Sequence, residues 1–130
     1  MLIETRAQTI TSAAIALALG KAVKYAIADK WLGSMRVYAF QNKPKDGLDA
    51  WNDAGCISGA FEFRATLASP GNPSEQPGKV WALDNGRVAK GLAKLASSQP
   101  DAFGRIVAQR ATVADCTAFL QLALFGVERF

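Results

Sequence analysis

Three cations, Arg87, Lys90 and Lys94, have the spacing in this sequence that best fits a binding surface. In a helix, with about 100° per residue, they fall within about 60° of one another and opposite an apolar stripe. Such a row can bind phosphate groups or an acidic protein surface, and the same pattern is also typical of a helix face that is only solvated. Lys21 and Lys24 would extend the row if the first helix packs alongside it.

The inventory of reactive side chains argues against catalysis, because the sequence contains no histidine. This excludes His-based catalytic triads and zinc sites with histidine ligands. Lysines and carboxylates are the remaining bases, and no pair of carboxylates has a recognisable acid/base spacing. Asp49 and Asp53 are four residues apart, but they lie in a predicted loop. Glycine-rich phosphate-binding motifs and metal-ligand clusters are also missing. We therefore expect a protein that is not an enzyme and that uses no cofactor and no metal.

Trp51 is the other candidate contact residue, and it lies in a predicted loop from Gln41 to Gly55. Pro, Gly, Asn and Asp predict irregular structure there. A tryptophan in a polar loop either folds back onto the core or is exposed as an anchor for a partner, and such anchors are often Trp, Tyr or Arg. A second loop, from Ala68 to Lys79, contains three prolines and two glycines, and we predict a mobile tip for it.

Length and composition indicate one globular domain, residues 1–130, with enough apolar residues for a core. Half of the residues are hydrophobic, a fifth are charged, and the formal net charge is +4. A mildly basic chain tolerates an acidic partner without requiring one. The two cysteines, Cys56 and Cys116, are predicted to be buried free thiols, because an intracellular setting keeps thiols reduced.

An alanine-rich helix is predicted from Thr5 to Asp29. Its apolar stretch does not fit a signal peptide, because Glu4 lies where a basic region is expected and Lys21 and Lys24 follow directly. The stretch is also far shorter than the roughly 20 residues that span a bilayer, so we expect a cytoplasmic protein without membrane contact. Gly20 marks either a close contact or a bend in this helix.

Three segments have the composition of strands. Period-two alternation is clearest from Ile57 to Leu67, which we place in the centre of an antiparallel sheet, with Phe61 and Phe63 against the helices. The predicted neighbours run from Ser34 to Gln41 and from Lys79 to Leu83. One face of the first neighbour is expected to be charged and aromatic and comprises Arg36, Tyr38 and Phe40.

Three helices are predicted in the last third of the chain, from Asp84 to Phe125. The first presents Val88, Leu92 and Leu95 on its apolar side. Together with the N-terminal helix and a small antiparallel sheet of about three strands, they indicate an α+β fold. The predicted N-terminal caps of the three helices are Asp84, Ser98 with Asp101, and Thr112 with Asp115.

The last of these helices is expected to organise the fold. From Ala118 to Phe125 only Gln121 is polar, and a helix that is apolar nearly all round belongs in the middle of a core. Gly126 follows, where a C-terminal cap is expected. The predicted centre of the core comprises Phe119, Leu120, Leu122, Ala123 and Phe125.

The segment from Phe119 to Gly126 reads FLQLALFG, and it is the most specific part of a pattern that covers the last third of the chain. This pattern resembles a family of small proteins encoded by tailed bacteriophages and prophages. The chain departs from the family at Gln109, Arg110 and Ala111, where members carry Asn-Asp-Asp, and at Ala26, where members carry Trp. The other matching residues are Leu83, Asp84, Gly91, Leu92, Leu95, Ala96, Pro100 and Phe103, with a looser match at Tyr25.

The resemblance implies a phage or prophage accessory protein that acts in the cytoplasm of a bacterial host. Small accessory phage proteins often bind and block host defence proteins, CRISPR-Cas complexes among them. We therefore interpret the chain as a stoichiometric inhibitor of a defence system, with a CRISPR-Cas effector as the first candidate target. A nucleic-acid-binding accessory protein and a virion or assembly component are the alternatives, and the oligomeric state stays open. The expected partner contacts are Trp51, Arg87, Lys90, Lys94, Lys21 and Lys24.

Overall fold

The computed structural model describes residues 2–5, 8–68 and 78–130, and it confirms the predicted α+β fold. The elements are β1 (Leu2–Thr5), β2 (Gln8–Thr11), α1 (Ser12–Ala28), β3 (Leu32–Phe40), a 3-10 turn (Ala50–Asn52), α2 (Ala54–Ser58), β4 (Phe61–Leu67), β5 (Val80–Asp84), α3 (Asn85–Ser98), α4 (Pro100–Val107) and α5 (Val113–Phe125). Strands β3, β4 and β5 form an antiparallel sheet in that order, and β1 and β2 pair as a separate two-stranded antiparallel sheet.

Helix α1 begins later than the sequence predicts, at Ser12 instead of Thr5. The β-branched run from Thr9 to Thr11 favours a strand, and it pairs with β1. The Thr11 hydroxyl then caps the helix by accepting a hydrogen bond from Ala14 N (3.2 Å). Neither α1 nor any other helix in the described part of the chain is long and apolar enough to cross a membrane.

The segment between β3 and β4, which its composition predicts to be an irregular loop, packs on α1 and contains a 3-10 turn and the short helix α2. Gly20 marks the close contact, because a Cβ at this position would overlap the Asn52 side chain. The buried Asp53 carboxylate accepts hydrogen bonds from Lys45 N and Gly55 N, and these donors lower the pKa of Asp53. The segment is therefore held in place by its own polar groups.

Strand β4 is the centre of the sheet, as predicted, but it begins at Phe61 instead of Ile57. Asp53 caps a helical turn just before it, so Ile57 is buried as part of α2. A single helical turn that buries adjacent residues can look like the start of an alternating strand. Phe61 and Phe63 are both buried, which confirms the predicted inner face of the sheet.

Strand β3 contains a β-bulge that the sequence pattern does not indicate. Val37 and Ala39 lie opposite consecutive residues of β4, so Tyr38 is an extra residue in the ladder. Beyond the bulge the alternation is inverted, and Phe40 lies on the inner side of the sheet while Arg36 lies on the outer side. The prediction that Arg36, Tyr38 and Phe40 share one face is therefore wrong.

Strand β5 returns beside β4 as predicted, one residue later at each end. Gly78 N donates to Leu67 O (2.8 Å), and Leu67 N donates to Lys79 O (2.9 Å). These bonds close the base of the connection. The predicted mobile tip of this loop lies outside the described residues.

The predicted caps at Asp84 and at Thr112 with Asp115 are confirmed by side-chain hydrogen bonds to backbone N–H groups. The predicted cap at Ser98 is wrong, because α3 continues through this residue. The Ser98 hydroxyl instead donates to a carbonyl one turn earlier (2.7 Å). Gln99 occupies the N-cap position of α4.

Helix α5 packs against both α1 and α3 at the centre of the core, as predicted. The residues from Ala118 to Leu124 are all buried, whereas Phe125 is only half-buried. Gly91 allows α3 to approach closely, because a Cβ there would lie 2.8 Å from Ala123 Cα. Gly126 caps the helix with a φ of 79°, as predicted.

Gln121, the polar residue within the apolar run, holds the segment that follows α5. Its side-chain oxygen accepts hydrogen bonds from Arg129 N (2.6 Å) and Phe130 N (2.8 Å). The Phe130 ring stacks on Trp31 with 4.7 Å between the ring centroids. The buried amide is therefore satisfied, and it fixes this segment over the aromatic part of the core.

Candidate functional site

The predicted cationic row lies on the exposed side of α3, beside the C-terminal end of α5. Arg87, Lys90 and Lys94 are all exposed, as expected. They line a pocket of about 270 Å³, which we call the cationic pocket. Residues of α5 and its cap form the opposite wall of this pocket, and they are Leu122, Ala123, Phe125 and Gly126.

Two of the three cations already bind the backbone at the end of α5. Arg87 Nη1 donates to Leu124 O (3.1 Å), and Lys94 Nζ donates to Gly126 O (2.8 Å). The last carbonyls of a helix lack partners within the helix, and cations stabilise the negative end of its dipole. Arg87 and Lys94 therefore stabilise the C-terminal end of α5, a role that the sequence pattern does not indicate. Lys90 lines the same pocket, and no hydrogen bond or ion pair joins it to any described residue.

Lys21 and Lys24 do not extend the cationic pocket. Lys21 Nζ donates to Ala111 O (3.4 Å), two residues before α5 begins. Arg87 and Lys94 contact the other end of this helix, which has 13 residues and is therefore about 20 Å long. Lys24 lies one turn further along α1 and is exposed. The basic residues thus form two separate groups at opposite ends of α5.

Trp51 lies in the 3-10 turn and is half-buried. Its ring meets Phe63 edge-on, with 5.9 Å between the ring centroids and an interplanar angle of 76°. Trp51 therefore folds back onto the core, which is one of the two interpretations that its sequence context allows. A contact between its accessible edge and a partner stays a prediction.

The sequence reasoning did not select a second surface, which lies along strand β3. We call it the edge surface, and its most exposed large side chains are Tyr38 (65% exposed), Phe40 (45%) and Val37 (40%). Exposed apolar side chains are common singly, but these three follow one another along the open edge of one strand, Tyr38 on the outer side of the sheet and Val37 and Phe40 on the inner side. Arg36 and Arg64 complete the edge surface on the outer side of the sheet.

The charges of the edge surface are only partly paired. The Arg64 guanidinium lies 3.9 Å from the centroid of the Tyr38 ring, and its Nε donates to Glu62 Oε2 (2.6 Å). Arg36 lies directly opposite Arg64 in the ladder, where two like charges repel each other. No hydrogen bond or ion pair joins the Arg36 side chain to another residue in the described ranges. The surface therefore combines accessible aromatic area with an unneutralised cation.

The backbone of β3 is open along one side. Within the described residues β3 pairs only with β4, so its other edge presents N–H and C=O groups that no ladder uses. An open edge is a template for another strand. The bulges near Gly33 and Tyr38 leave a regular stretch from Ser34 to Val37 between them. In the sequence, the charged and aromatic residues of this strand are the feature from which the edge surface could have been predicted.

The buried titratable groups have structural roles. Arg105 binds both carboxylate oxygens of Asp115 (2.6 and 2.8 Å), and this ion pair lowers the pKa of Asp115 to about 2. Cys56 and Cys116 are buried free thiols, as predicted, and burial raises the pKa of each. No group of three or more His, Cys, Asp or Glu side chains in the described ranges could hold a metal ion.

Comparison of the chain with protein-family models, curated proteins and solved structures gives no significant match. The resemblance of α5 to phage accessory proteins therefore stays a prediction. The edge surface and the cationic pocket are the two candidate functional sites.

Proposed function

We propose that the protein is a stoichiometric inhibitor that binds a defence complex of a bacterial host through the edge surface, with a CRISPR-Cas effector as the first candidate. The observation that carries this proposal is the open edge of β3, where exposed aromatic side chains and two arginines lie beside backbone groups that no ladder uses. The FLQLALFG segment and its resemblance to phage accessory proteins support the choice of target class.

An extended segment of the partner can add to β3 as a further strand. Main-chain hydrogen bonds then supply affinity, and side chains at alternate positions supply specificity. The regular stretch from Ser34 to Val37 offers the ladder for this pairing. The bulge at Tyr38 ends the regular ladder, and it leaves this aromatic side chain exposed beside Arg64.

The charge of the edge surface favours an acidic segment. A carboxylate placed beside Arg36 would neutralise this cation, which lies opposite Arg64 and has no partner among the described residues. Tyr38, whose ring lies against Arg64 on the same outer side of the sheet, would become buried beside this ion pair. Truncation of a central aromatic or arginine in an interface typically costs about 2 kcal/mol or more in binding. We expect Arg36 and Tyr38 to be the main contributors.

The test is capture of the partner from a lysate of a phage-susceptible host with tagged protein. A defence subunit recovered in near-equal amounts is the expected result. The double variant Arg36→Glu, Tyr38→Ser should lose this partner. Its matched control is Lys24→Glu, Tyr25→Ser, because this pair is also exposed and undergoes the same kind of charge and aromatic change on α1. The control should capture as much partner as the parent protein.

Two results would contradict different parts of the proposal. Unchanged phage restriction by every defence system of the host, while the protein is expressed, would reject inhibition in that host. Capture of the defence subunit by the Arg36→Glu, Tyr38→Ser variant would reject the edge surface as the binding site and leave the inhibitory function standing.

A further inference from the structure

We propose that the cationic pocket is a second binding site, which takes the phosphate group of an anionic ligand. Arg87, Lys90 and Lys94 line it, and no carboxylate does. Three cations without a counter-ion around one small volume repel one another, and at spacings of three and four residues on a helix this repulsion destabilises α3. An anion in the pocket would remove this repulsion and bind all three side chains.

The charge of the pocket exceeds what the end of α5 requires. The C-terminus of a helix carries about half of a negative charge, and Arg87 and Lys94 already face it. Lys90 lies between them in sequence and has no partner among the described residues. The two capping bonds also fix Arg87 and Lys94 in position, so a ligand meets cations that are already ordered.

The acidic groups nearest along the chain are occupied elsewhere. The Asp84 carboxylate accepts a hydrogen bond from Arg87 N (2.9 Å) and caps α3. The Glu128 carboxylate accepts one from Gln99 Nε2 (2.9 Å), beyond the end of α3. Neither residue lines the pocket. Their positions leave the positive charge of the pocket available to a ligand.

The wall opposite the cations is apolar and small. Leu122, Ala123, Phe125 and Gly126 form it, and the pocket volume of about 270 Å³ is just below the usual range of ligand sites. A phosphate can meet the cations while an attached ring or sugar covers part of the apolar wall. We therefore expect a phosphate ester in preference to a bare carboxylate, because its several oxygens can accept hydrogen bonds from three donors at once.

The test uses adenosine monophosphate as the probe and adenosine as the control without phosphate. Titration at low salt, followed by amide chemical shifts of α3, should show binding of adenosine monophosphate and at least about tenfold weaker binding of adenosine. Lys90→Gln should weaken binding of adenosine monophosphate about five- to tenfold, because it removes one charge-assisted hydrogen bond without touching a helix cap. Lys24→Gln, which changes an exposed lysine of α1 outside the pocket, should leave the Kd unchanged.

Equal binding of adenosine and adenosine monophosphate would overturn the proposal, and so would an unchanged Kd for Lys90→Gln. A thymidine decanucleotide separates two sources of the phosphate. Much tighter binding at the same residues, with a steep salt dependence, would identify the phosphate of a nucleic acid, whereas binding no tighter than that of adenosine monophosphate would identify a small molecule. Partner capture by the edge surface should be unaffected by Lys90→Gln, so the two sites can fail independently.

Discussion

The cationic pocket and the edge surface are both exposed and positively charged, but they use their cations differently. In the cationic pocket, Arg87 and Lys94 bind carbonyl groups at the end of α5 and stabilise the fold. In the edge surface, Arg36 faces another arginine and has no partner among the described residues. A row of cations in the sequence therefore does not indicate by itself whether the protein uses them for folding or for binding.

The difference suggests where binding energy can come from. A cation that already donates to a backbone carbonyl has fewer N–H groups left for a ligand than a cation with no such bond. A cation with no bond, held beside another cation, loses only water and gains a partner. Arg36 in the edge surface and Lys90 in the cationic pocket are cations of this second kind. Substitutions should therefore distinguish such residues from those that stabilise the fold.

Both surfaces depend on one core, so Phe119→Ala should disrupt both. Phe119 is fully buried, and truncation of a buried Phe costs about 3–5 kcal/mol, which approaches the stability of a small domain. We expect insoluble or unfolded protein, measured by chemical denaturation. Phe40→Ala, an exposed aromatic of the edge surface, is the control and should remain folded. A Phe119→Ala variant that melts close to the parent would mean that α5 does not organise the fold.

The Arg105–Asp115 ion pair stabilises the fold, and its contribution to the free energy of unfolding should depend on pH. Hydrogen bonds from Arg105, and to a lesser degree from Thr112, lower the pKa of Asp115 from 3.8 to about 2. The contribution is therefore complete above the pKa of the unfolded chain and is lost as pH falls from about 4 to about 2. Asp115→Asn should lower the free energy of unfolding by about 2 kcal/mol near pH 7 and by much less near pH 2.

Denaturation of the parent and of Asp115→Asn at several pH values measures this dependence. Asp46→Asn, an exposed carboxylate in the loop after β3, is the control and should show no such convergence. A constant difference between Asp115→Asn and the parent from pH 7 to pH 2 would contradict the role of the ion pair.

Within the cationic pocket, the three cations should contribute unequally to stability. Arg87→Gln and Lys94→Gln should each lower the free energy of unfolding by about 0.3–1 kcal/mol, because each removes a cation from the C-terminus of α5. Lys90→Gln should change it by less than about 0.5 kcal/mol. Thermal denaturation at low salt measures the series. Equal losses for all three variants would show that the cations do not have distinct roles.

The smallest expected effects distinguish the two arginines of the edge surface. Arg36→Gln should leave stability unchanged or raise it slightly, because it removes a like charge opposite Arg64. Arg64→Gln should lower it by about 0.5–1 kcal/mol, because Arg64 also contacts the Tyr38 ring and Glu62. Denaturant midpoints measure both. A larger loss for Arg36→Gln than for Arg64→Gln would mean that Arg36 has a structural partner.

Local sequence patterns predicted much of the fold. The caps at Asp84 and Thr112, the central strand and the apolar helix α5 all follow from interactions between residues a few positions apart. The early start assigned to α1 was wrong because the run from Thr9 to Thr11 prefers strand pairing. The bulge at Tyr38 depends on a register with β4, which a period-two pattern in one strand cannot indicate.

The candidate sites were less predictable because their roles depend on distant parts of the chain. Arg87 binds a carbonyl 37 residues away, and Lys94 binds one 32 residues away. The helical pattern correctly predicted that these cations are exposed, and it could not predict what they contact. Conversely, Trp51 was selected for its residue type, but its contact with Phe63 needs the packing of a loop onto the sheet.

The edge surface, and not the cationic pocket, should capture the protein partner. The most direct test compares partner capture by the parent, by Arg36→Glu, Tyr38→Ser, and by Lys90→Glu at equal protein concentration. We predict that the edge-surface variant loses the partner, while Lys90→Glu retains parental capture. Loss of the partner by Lys90→Glu, with retention by the edge-surface variant, would contradict this account and assign the partner to the cationic pocket.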